Sequence, residues 1–542
     1  MRQPDALADP ARNRGVGFTP EQREQLGIDG WLPSGVFSLE EQDRILHERV
    51  LQQSTPLHKR ILLMDALRSG HALFGYALSH HLEEYLPIVY APTVAEAIRR
   101  YTDYAWGSNV AYVSAWAPER IRDILERHTR GRQVDIVIVT DGEGILGIGD
   151  WGVNGAEILT GKAAVYTAAA RIDPERILGV MLDAGTDRVE LREHPAYVGM
   201  RAARVRGTHY DAAIAAIVAA VRELLPGALL HWEDFGRANA ARVLERYQDE
   251  VLSINDDIQG TGVTILAAVH AAARAAGTQF RDTRLLVVGA GSAGVGIADR
   301  VAADLAEAGC PSDDIPRHIA LVDRTGLVLR GAADLTPGQQ RWARDSADFP
   351  GLRDVCSLTE VVEQFRPTVL VGTSGTPGTF TREVVEAMVR GCDRPLICPI
   401  SNPVDLAEAR AEDVITWSRG RALVATGSPS APVTFAGVRH VIGQGNNALM
   451  YPGIVLGALA ARSRRITGGM LSAAAHAIAG MGDPSIPGNP VLPPMSELPA
   501  VTERVALAVA SQAVADGVAQ ISGDVEDAVR AQYWTPGGAL RR

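Results

Sequence analysis

The sequence LLVVGAGSAG, residues 285–294, decides the fold class of this chain. It consists of an apolar strand, a GxGxxG turn and the start of an alanine-rich helix, and this context makes the pattern a specific signal for dinucleotide binding. The glycines permit a tight turn and let a pyrophosphate approach a helix N-terminus closely. The residues predicted to bind the cofactor here are Gly289, Gly291, Ser292, Ala293 and Gly294.

Downstream of this turn the chain alternates regularly between strands and helices. The strand sequences are IALVD, TVLVG, LICPI and LVATG. This alternation predicts a doubly wound parallel sheet of the Rossmann type, in which ligands bind beyond the carboxyl ends of the strands. Those ends carry small, hydrogen-bonding residues, at Asp323 and at residues 373–375, 401–403 and 426–428.

Asp323 closes the second strand of this region and is the predicted partner of the cofactor ribose. It lies 29 residues after Gly294 (323 minus 294), more than the usual ~20, and the loop PSDDIPRH accounts for the excess. An acidic side chain repels a 2′-phosphate, so Asp323 favours NAD over NADP. Arg324 beside it works against that preference.

The region before residue 257 has a different organisation. Residues 1–82 carry apolar residues at helical spacing, and the following region mixes strands with helices. The predicted fold is therefore α/β, with a helical N-terminal segment, a mixed α/β catalytic domain and a Rossmann-type domain. The predicted bounds are 1–82 for the helical segment, 83–256 for the catalytic domain, 257–510 for the NAD-binding domain and 511–542 for a C-terminal tail.

Composition excludes several classes of protein. The net charge of −11 has the wrong sign for a nucleic-acid-binding protein. We expect no membrane segment, since no apolar run reaches the roughly 18 residues that a spanning helix needs, and the N-terminus resembles no secretory signal, which indicates the cytoplasm. The four cysteines, Cys310, Cys356, Cys392 and Cys398, form no CxxC pair, so neither structural zinc nor a disulfide framework is expected.

Four carboxylates occur in two apolar settings. Glu233 and Asp234 end the apolar strand in ALLHWEDF, and Asp256 and Asp257 precede a helix in SINDDIQGTG. Such groups repel one another unless a cation joins them, and a hard divalent ion, Mg²⁺ or Mn²⁺, takes oxygen ligands. The alternative is that these residues are helix caps, but capping explains one Asp per helix rather than four acids.

Lys162 and Tyr90 are candidates for proton transfer. Lys162 is expected to open the small, apolar helix in LTGKAAVYTAAA, where a desolvated lysine near a metal can act as a base. Most lysines, however, are solvated surface charges. Tyr90 precedes Ala-Pro-Thr in PIVYAPTV, at an expected helix start, and fits a proton donor or a core aromatic residue.

Taken together, these segments resemble the malic enzymes and their relatives, the malolactic enzymes. The resemblance covers nearly the whole chain, and eight motifs follow one another in the order of that family. They are PIVYAPTV, TDGEGILGIGDWG, GKAAVYTA, HWEDFGRANA, NDDIQGT, GAGSAG, ISNP and GQGNNALMYPG.

The resemblance implies a role for each matching residue. Glu233, Asp234 and Asp257 resemble the metal ligands, and Lys162 and Tyr90 the general base and general acid. Asp256 resembles a catalytic carboxylate that supports the base. Asn402 and Asn447 resemble the amides that hold the substrate carboxylate, with Asn446 beside them and Asn402 also next to the cofactor. The implied reaction oxidises L-malate with NAD and then decarboxylates the product to pyruvate, with Mg²⁺ or Mn²⁺ as Lewis acid.

One position departs from the family. Malic enzymes usually read TDGERILG, whereas this chain has Gly144 in place of the arginine that pairs with the substrate carboxylate. The string EGILGIGDWG is similar to malolactic enzymes and also to some bacterial sequences regarded as malic enzymes. Malolactic enzymes release L-lactate while NAD stays bound, and that activity stays open as an alternative. A non-catalytic NAD-binding sensor is disfavoured because the acid, the base and the metal ligands are present, and the length leaves no room for a fused phosphotransacetylase-like domain. The family implies a homo-oligomer, a dimer or a tetramer.

Overall fold

In the computed structural model, which describes residues 3–104, 110–351 and 357–538, the chain divides into two compact units. Unit 1 comprises Met1–Ile145, Asp150–Leu230 and Arg530–Arg542, and unit 2 comprises Leu146–Gly149 and His231–Val529. This division rests on contacts within the chain, and the domain bounds predicted from the sequence stay predictions.

Unit 1 is rich in helices, and its N-terminal part is helical as expected. Two capping boxes start helices there, at Thr19 and Ser38. The helices are α1 Asp5–Ala8, α2 Pro20–Leu26, α3 Leu39–Leu51, α4 Pro56–Ser69, α5 His71–His80, α6 Leu82–Val89, α7 Thr93–Arg99, α8 Tyr101–Tyr104, α9 Ile121–Thr129, α10 Ala156–Ala170, α11 Val189–Glu193 and α12 Thr208–Leu224.

A parallel sheet forms the centre of unit 1. Its strands are β1 Val110–Ser114, β2 Ile136–Thr140, β3 Ile177–Asp183 and the first residues of β4 Leu229–Trp232. β3 lies between β1 and β2 and is parallel to both. Every residue of β2 is buried, which explains its continuous run of apolar, β-branched side chains. The loop that follows β2 carries the motif TDGEGILGIGDWG.

Unit 2 begins within β4 and contains a seven-stranded sheet. After α13 Arg237–Tyr247 and β5 Ser253–Asn255, its strands are β6 Leu285–Val288, β7 Ile319–Asp323, β8 Gly326–Leu327, β9 Val369–Gly372, β10 Leu396–Pro399, β11 Leu423–Thr426, β12 Val433–Phe435, β13 Val438–His440 and β14 Gly443–Gln444. The sheet order is β14-β11-β10-β9-β6-β7-β8, and β12 and β13 form a separate hairpin.

All neighbouring strands in this sheet are parallel, except that β7 and β8 are antiparallel. β6 lies between β7 and β9, so the chain runs outward from β6 in both directions. The carboxyl ends of β6 and β9 therefore flank a topological switch point, where doubly wound folds bind ligands.

The helices of unit 2 connect its strands and follow the sheet. They are α14 Thr261–Ala276, α15 Ser292–Glu307, α16 Pro337–Trp342, α17 Leu358–Phe365, α18 Arg382–Gly391, α19 Ala411–Trp417, α20 Tyr451–Ala460, α21 Gly468–Ala479, α22 Leu498–Ala515 and α23 Val525–Arg530, the last of which ends at the boundary with unit 1. One face of the sheet packs with α17, α18 and α19 into a core around Leu286, Leu370 and Ile397.

The predicted α/β fold class with a doubly wound sheet is confirmed. In the part of the chain that the structure describes, no helix combines the length and apolarity needed to cross a membrane. Cys310, Cys392 and Cys398 are free thiols, and Cys356 lies outside the described residues.

Candidate active site

The glycine-rich turn joins β6 to α15 in unit 2. Gly289 has a φ of +107°, and a Cβ added there would lie 2.5 Å from the carbonyl carbon of Thr373. A Cβ on Gly294 would lie 2.1 Å from the Gly289 oxygen. Both positions therefore require glycine, the first for the turn and the second for close packing of helix on strand. Gly291 is the N-cap of α15, and Ser292, Ala293 and Gly294 form its first turn. The amide groups of a first turn have no partner within their helix and are suited to a phosphate.

Asp323 ends β7, as predicted from the sequence. Its Oδ1 accepts a hydrogen bond from the Arg324 amide at 2.8 Å, and its Oδ2 accepts one from Gln339 Nε2 at 2.8 Å. The same Nε2 lies 3.1 Å from the carbonyl oxygen of Ala290 in the glycine turn. Gln339 thus connects the Asp323 carboxylate to the glycine-rich turn.

Two of the acidic motif residues of unit 2 meet around a buried histidine, His231. His231 Nε2 lies 2.8 Å from Asp256 Oδ1 and 3.2 Å from Glu233 Oε2. All three side chains are buried, and their ligand atoms lie within 4.8 Å of one another. Asp257 Oδ2 accepts a hydrogen bond from the Asp234 amide at 2.8 Å. The structure therefore brings the carboxylates of the two motifs together, although they are more than 20 residues apart in sequence.

These acidic residues do not start their helices as caps. The cap before the π-helical turn Asp256–Gly260 is Asn255, whose Oδ1 accepts the Ile258 amide hydrogen bond at 3.1 Å. The N-cap of α13, after Glu233 and Asp234, is Gly236. The capping interpretation is thereby disfavoured.

The donor chemistry of this cluster fits a divalent metal. Glu233 and Asp234 are 1% and 4% exposed, and Asp256 is fully buried. Carboxylate oxygens gathered away from water are the ligands that Mg²⁺ and Mn²⁺ prefer. The compact trio His231, Glu233 and Asp256 differs from the predicted ligand set of Glu233, Asp234 and Asp257, and that set stays a prediction.

The three predicted amides occupy different surroundings in unit 2. Asn447 Nδ2 donates to Asp256 Oδ2 at 2.7 Å, which places Asn447 in the carboxylate cluster. Asn446 Oδ1 accepts from the Ala448 amide at 2.8 Å and so caps a short 3₁₀ helix. Asn402 follows β10, and its Oδ1 accepts a hydrogen bond from the Ser428 hydroxyl at 2.5 Å. A Cβ on Gly147 would lie 2.8 Å from the Asn402 carbonyl oxygen, so the GILGIG segment passes beside the ISNP motif.

Lys162 lies in unit 1, in the middle of α10. The prediction that it opens this helix is wrong, because α10 begins at Ala156, directly after a buried 3₁₀ turn, Gly152–Gly155. The lysine is fully buried, which excludes the interpretation as a solvated surface charge. Its Nζ lies 5.4 Å from the centroid of the Tyr90 ring.

Tyr90 is the C-cap of α6 and is 3% exposed. A Cβ on Gly161 would lie 3.1 Å from Tyr90 Cδ2, so the glycine before Lys162 lets the ring approach α10. Arg60 on α4 holds these two helices together. It donates to the carbonyl oxygen of Val89, beside the tyrosine, and to Glu157 Oε2 of α10 at 2.9 Å.

We expect loss of either member of the Arg60–Glu157 pair to lower the free energy of unfolding by about 3–5 kcal/mol, because the remaining buried charge loses its partner. The two side chains are 1% and 6% exposed. Urea denaturation of Arg60→Met and Glu157→Gln measures this. Arg44→Met is the matched control, since its ion pair with Glu48 is solvent-exposed and should contribute no more than about 0.5 kcal/mol.

The double variant Arg60→Met/Glu157→Gln separates lost attraction from a buried unpaired charge. It should be destabilised by less than the sum of the single variants. Additive losses would contradict the assigned coupling.

The loop after β2 is anchored within unit 1 by Arg204. This buried guanidinium donates to both carboxylate oxygens of Asp150, at 2.7 and 3.0 Å, and to the Asp141 carbonyl oxygen at 3.0 Å. Asp141 Oδ2 accepts from Tyr210 at 2.6 Å. Burial raises the pKa of the Asp141 carboxyl, although the Arg204 charge and the Tyr210 hydrogen bond lower it. Partial burial raises the pKa of Asp150, but its bonds to Arg204 more than offset this and hold that pKa below its usual value.

Four residues that organise these sites were absent from the sequence prediction. His231 is the first residue of HWEDFG, close in sequence to Glu233 and Asp234. A histidine so close to two acidic residues is a local signal for a polar cluster, and it could have been used. Gln339 belongs to a TPGQ capping box, which predicts a helix start and no contact with Asp323. Arg60 and Arg204 act on segments distant in sequence and leave no local signal.

Comparisons with known proteins cover almost the whole chain. The family model "Malic enzyme, N-terminal domain" matches residues 69–248, and "Malic enzyme, NAD binding domain" matches residues 258–514. The chain is 42% identical over 515 residues to a malolactic enzyme of Leuconostoc mesenteroides, covering 95% of each chain. It is 43% identical over 543 residues to NAD-dependent malic enzyme 3 of Bacillus subtilis, covering 99% of this chain and 96% of that protein.

Among solved structures, the fold is similar to that of a malic enzyme from Entamoeba histolytica. The TM-score is 0.58 at 20% sequence identity, and the match covers 92% of each chain. At this identity the likeness concerns the fold alone.

Proposed function

Because this chain belongs to the malic enzyme family, we propose that it decarboxylates L-malate oxidatively, with NAD and a divalent metal, and releases pyruvate, CO₂ and NADH. The observation that carries the proposal is Lys162. The chain has two lysines, Lys59 and Lys162, among its 53 basic residues, and Lys162 is fully buried. Arginine does not lose its proton in proteins, whereas burial favours the neutral amine of lysine, which can accept one.

In the proposed reaction, Lys162 and Tyr90 carry out the proton transfers. Lys162 Nζ accepts the proton of the malate C2 hydroxyl while a hydride leaves C2. Carbon dioxide then departs, and the Tyr90 hydroxyl donates a proton to C3 to form the methyl group of pyruvate. The ring of Tyr90 and the amine of Lys162 lie side by side, so one substrate can meet both groups.

Acidic and amide side chains supply the metal and substrate ligands in this proposal. Glu233, Asp234 and Asp257 would hold Mg²⁺ or Mn²⁺, and the bound ion would supply a Lewis acid for negative charge on the substrate. Asp256 fixes the cluster through His231 and Asn447. The amides of Asn402 and Asn447, with Asn446 beside them, orient the substrate carboxylate.

NAD, when bound at the glycine turn, supplies the hydride acceptor. The tight turn at Gly289 and the close packing at Gly294 direct the first-turn amide groups of α15 to the pyrophosphate in this assignment. Asn402 follows β10 at the same carboxyl edge of the sheet. Asp323 receives the ribose hydroxyls in this assignment, and Gln339 keeps its carboxylate in position.

We expect the enzyme to prefer NAD over NADP, because the Asp323 carboxylate repels a 2′-phosphate. Replacement by serine should reduce this preference by roughly 10- to 100-fold, since a charge pair in a partly buried site contributes a few kcal/mol at most. The ratio of kcat/KM for the two cofactors measures it. Asp313→Ser, an exposed carboxylate before β7, is the matched control. Equal use of NADP by the wild type would contradict the assignment and identify Arg324 as a phosphate ligand.

A second candidate function is malolactic activity, in which NADH stays bound and returns its hydride to pyruvate to give L-lactate. The 42% identity to malolactic enzymes and the presence of Gly144 favour it. Both reactions use the same acid, base and metal ligands.

One incubation distinguishes the two reactions. The purified protein is mixed with L-malate, NAD and Mn²⁺, and NADH absorbance, pyruvate and lactate are followed together. Malic enzyme activity gives NADH and pyruvate in equal amounts. Stoichiometric lactate without net NADH would establish malolactic activity instead.

Gly144 provides a prediction about substrate affinity. Since glycine offers no side-chain donor, we expect a raised KM for malate and some lactate as a side product. Gly144→Arg should lower that KM by roughly tenfold, because a charged hydrogen bond to a carboxylate contributes about 1.5–3 kcal/mol. Steady-state kinetics of the folded variant measures this. An unchanged KM would show that position 144 does not reach the substrate.

The same proposal includes a cytoplasmic location and a homo-oligomer, a dimer or a tetramer. L-Malate is the proposed small-molecule partner, and neither nucleic acid nor a membrane has a role in it.

A further inference from the structure

A cluster of two histidines and one aspartate lies elsewhere in unit 2, on three helices, and none of its residues has a role in the proposed reaction. His270 is on α14, Asp304 on α15 and His476 on α21. Asp304 Oδ2 lies 2.8 Å from His270 Nε2 and 2.9 Å from His476 Nε2, and the two nitrogens are 3.1 Å apart. The three atoms form a nearly equilateral triangle.

No arrangement of protons on the two histidines gives a favourable hydrogen bond along all three sides of this triangle. If both Nε2 atoms carry hydrogen, both donate to Asp304 but the two N–H groups face each other. If one Nε2 is deprotonated, it can accept from the other, but its lone pair then faces the carboxylate. In each arrangement one close contact is unfavourable. A single cation at the centre would accept electron pairs from all three atoms.

Neighbouring groups hold the triangle in this orientation. Ser472 Oγ lies 2.5 Å and Arg300 Nη2 3.3 Å from Asp304 Oδ1, so the other carboxylate oxygen faces the histidines. The His270 ring stacks on Phe280 at 3.9 Å. Burial raises the pKa of the Asp304 carboxyl, but the hydrogen bonds and the Arg300 charge hold it well below its usual range, so the group stays ionised. Such surrounding contacts are typical of metal sites.

The ligand types and distances indicate which ion would fit. Metal–ligand bonds of about 2.0–2.2 Å in tetrahedral geometry place ligand atoms roughly 3.3 Å apart, a few tenths of an ångström more than here. Two imidazole nitrogens with one carboxylate suit zinc and its neighbours rather than Mg²⁺. The His476 side chain is 51% exposed, whereas that of Asp304 is 2% exposed, so an ion and a water ligand can reach the site from solvent.

We propose that His270, Asp304 and His476 form a second metal site, selective for a divalent transition metal of the zinc class, which ties α14, α15 and α21 together. The site is separate in composition from the carboxylate cluster assigned to Mg²⁺ or Mn²⁺. It stabilises unit 2 and takes no part in the chemistry of malate.

The test uses the full-length protein, stripped with a chelator and returned to excess Mg²⁺ so that the carboxylate cluster is supplied with its own ion. Zn²⁺ is added in a calorimetric titration, and Co²⁺ in a parallel optical titration that reports nitrogen and oxygen coordination. We expect one equivalent to bind and the melting temperature to rise. In His476→Gln the affinity should fall at least tenfold and the thermal shift should disappear.

His209→Gln, which removes an exposed histidine of unit 1, is the matched control and should bind like the wild type. Activity of His476→Gln with malate and Mn²⁺ should be unchanged, which shows that the variant is folded. The competing explanation is that Zn²⁺ displaces Mg²⁺ from the carboxylate cluster. In that case the wild type and His476→Gln would bind Zn²⁺ with the same affinity. If all bound Zn²⁺ behaved in that way, the proposed site would be refuted.

Discussion

Replacing Lys162 with methionine should reduce NADH formation from malate by about 10²- to 10⁴-fold, the usual contribution of a general base. Methionine is similar in length and apolar, so it suits the fully buried position on α10 without leaving a large cavity. The measurement is the amplitude of NADH absorbance in a single turnover, which isolates hydride transfer from later steps. We expect no burst, because the C2 hydroxyl retains its proton.

Tyr90→Phe gives the contrasting result. Its single-turnover burst of NADH should persist, while steady-state pyruvate formation falls, since the phenol is assigned to a step after hydride transfer. Lys59→Met is the matched control, because it removes the other lysine of the chain, whose side chain is 24% exposed and lies 3.9 Å from Glu84. A normal burst in Lys162→Met with none in Tyr90→Phe would reverse the two roles.

The second large effect concerns Asp257. Changing it to asparagine keeps the shape but removes the charge of a proposed metal ligand, so turnover at saturating Mn²⁺ should fall at least about 100-fold. NAD binding, followed by quenching of protein fluorescence, should remain near the wild-type value. The glycine turn and the carboxylate cluster use different residues, which is the reason for this separation.

Asp249→Asn serves as the control for Asp257→Asn, because Asp249 is 67% exposed on its side chain and pairs with Arg465. That variant should keep full activity. Near-normal turnover of Asp257→Asn, or full activity after chelation, would remove Asp257 from the ligand set. Loss of NAD binding together with turnover would indicate a folding defect in unit 2, which thermal unfolding would detect.

The features predicted well from the sequence depend on local chemistry. The strands of unit 2 are continuous apolar runs because both faces of a parallel sheet are covered, and the glycine turn between β6 and α15 needs residues without a Cβ. The sequence predicts Asp323 at the end of its strand, because acidic residues seldom interrupt such an apolar run. These signals occupy a few consecutive residues, and no distant contact overrides them.

The start of the helix that carries Lys162 cannot be predicted from the neighbouring residues alone. The sequence predicts that Lys162 opens this helix, whereas in the structure α10 begins at Ala156. In the structure Gly161 lies within α10, where its missing side chain makes room for the Tyr90 ring. The reason for this glycine is a tertiary contact, and a segment-by-segment reading of the sequence contains no information about it.

Other features arise from residues brought together over long sequence separations. Arg60 meets Glu157 across 97 positions, and His476 meets His270 across 206. Each of these side chains is ordinary in its own helix. Their function depends on which helices pack together, which the periodicity of one helix does not specify.

Because the chain has only two lysines, chemical labelling can report on the burial of Lys162. An amine-directed acylating reagent finds two side-chain targets in this chain, and they differ in access, since Lys59 is partly exposed and Lys162 is fully covered. In the intact protein the reagent should therefore modify Lys59 quickly. Acylation of Lys162 requires α10 to separate from its neighbours, so its rate reports how often unit 1 opens locally. Mass spectrometry of the two lysine-containing peptides would then measure local opening around α10 without any engineered probe.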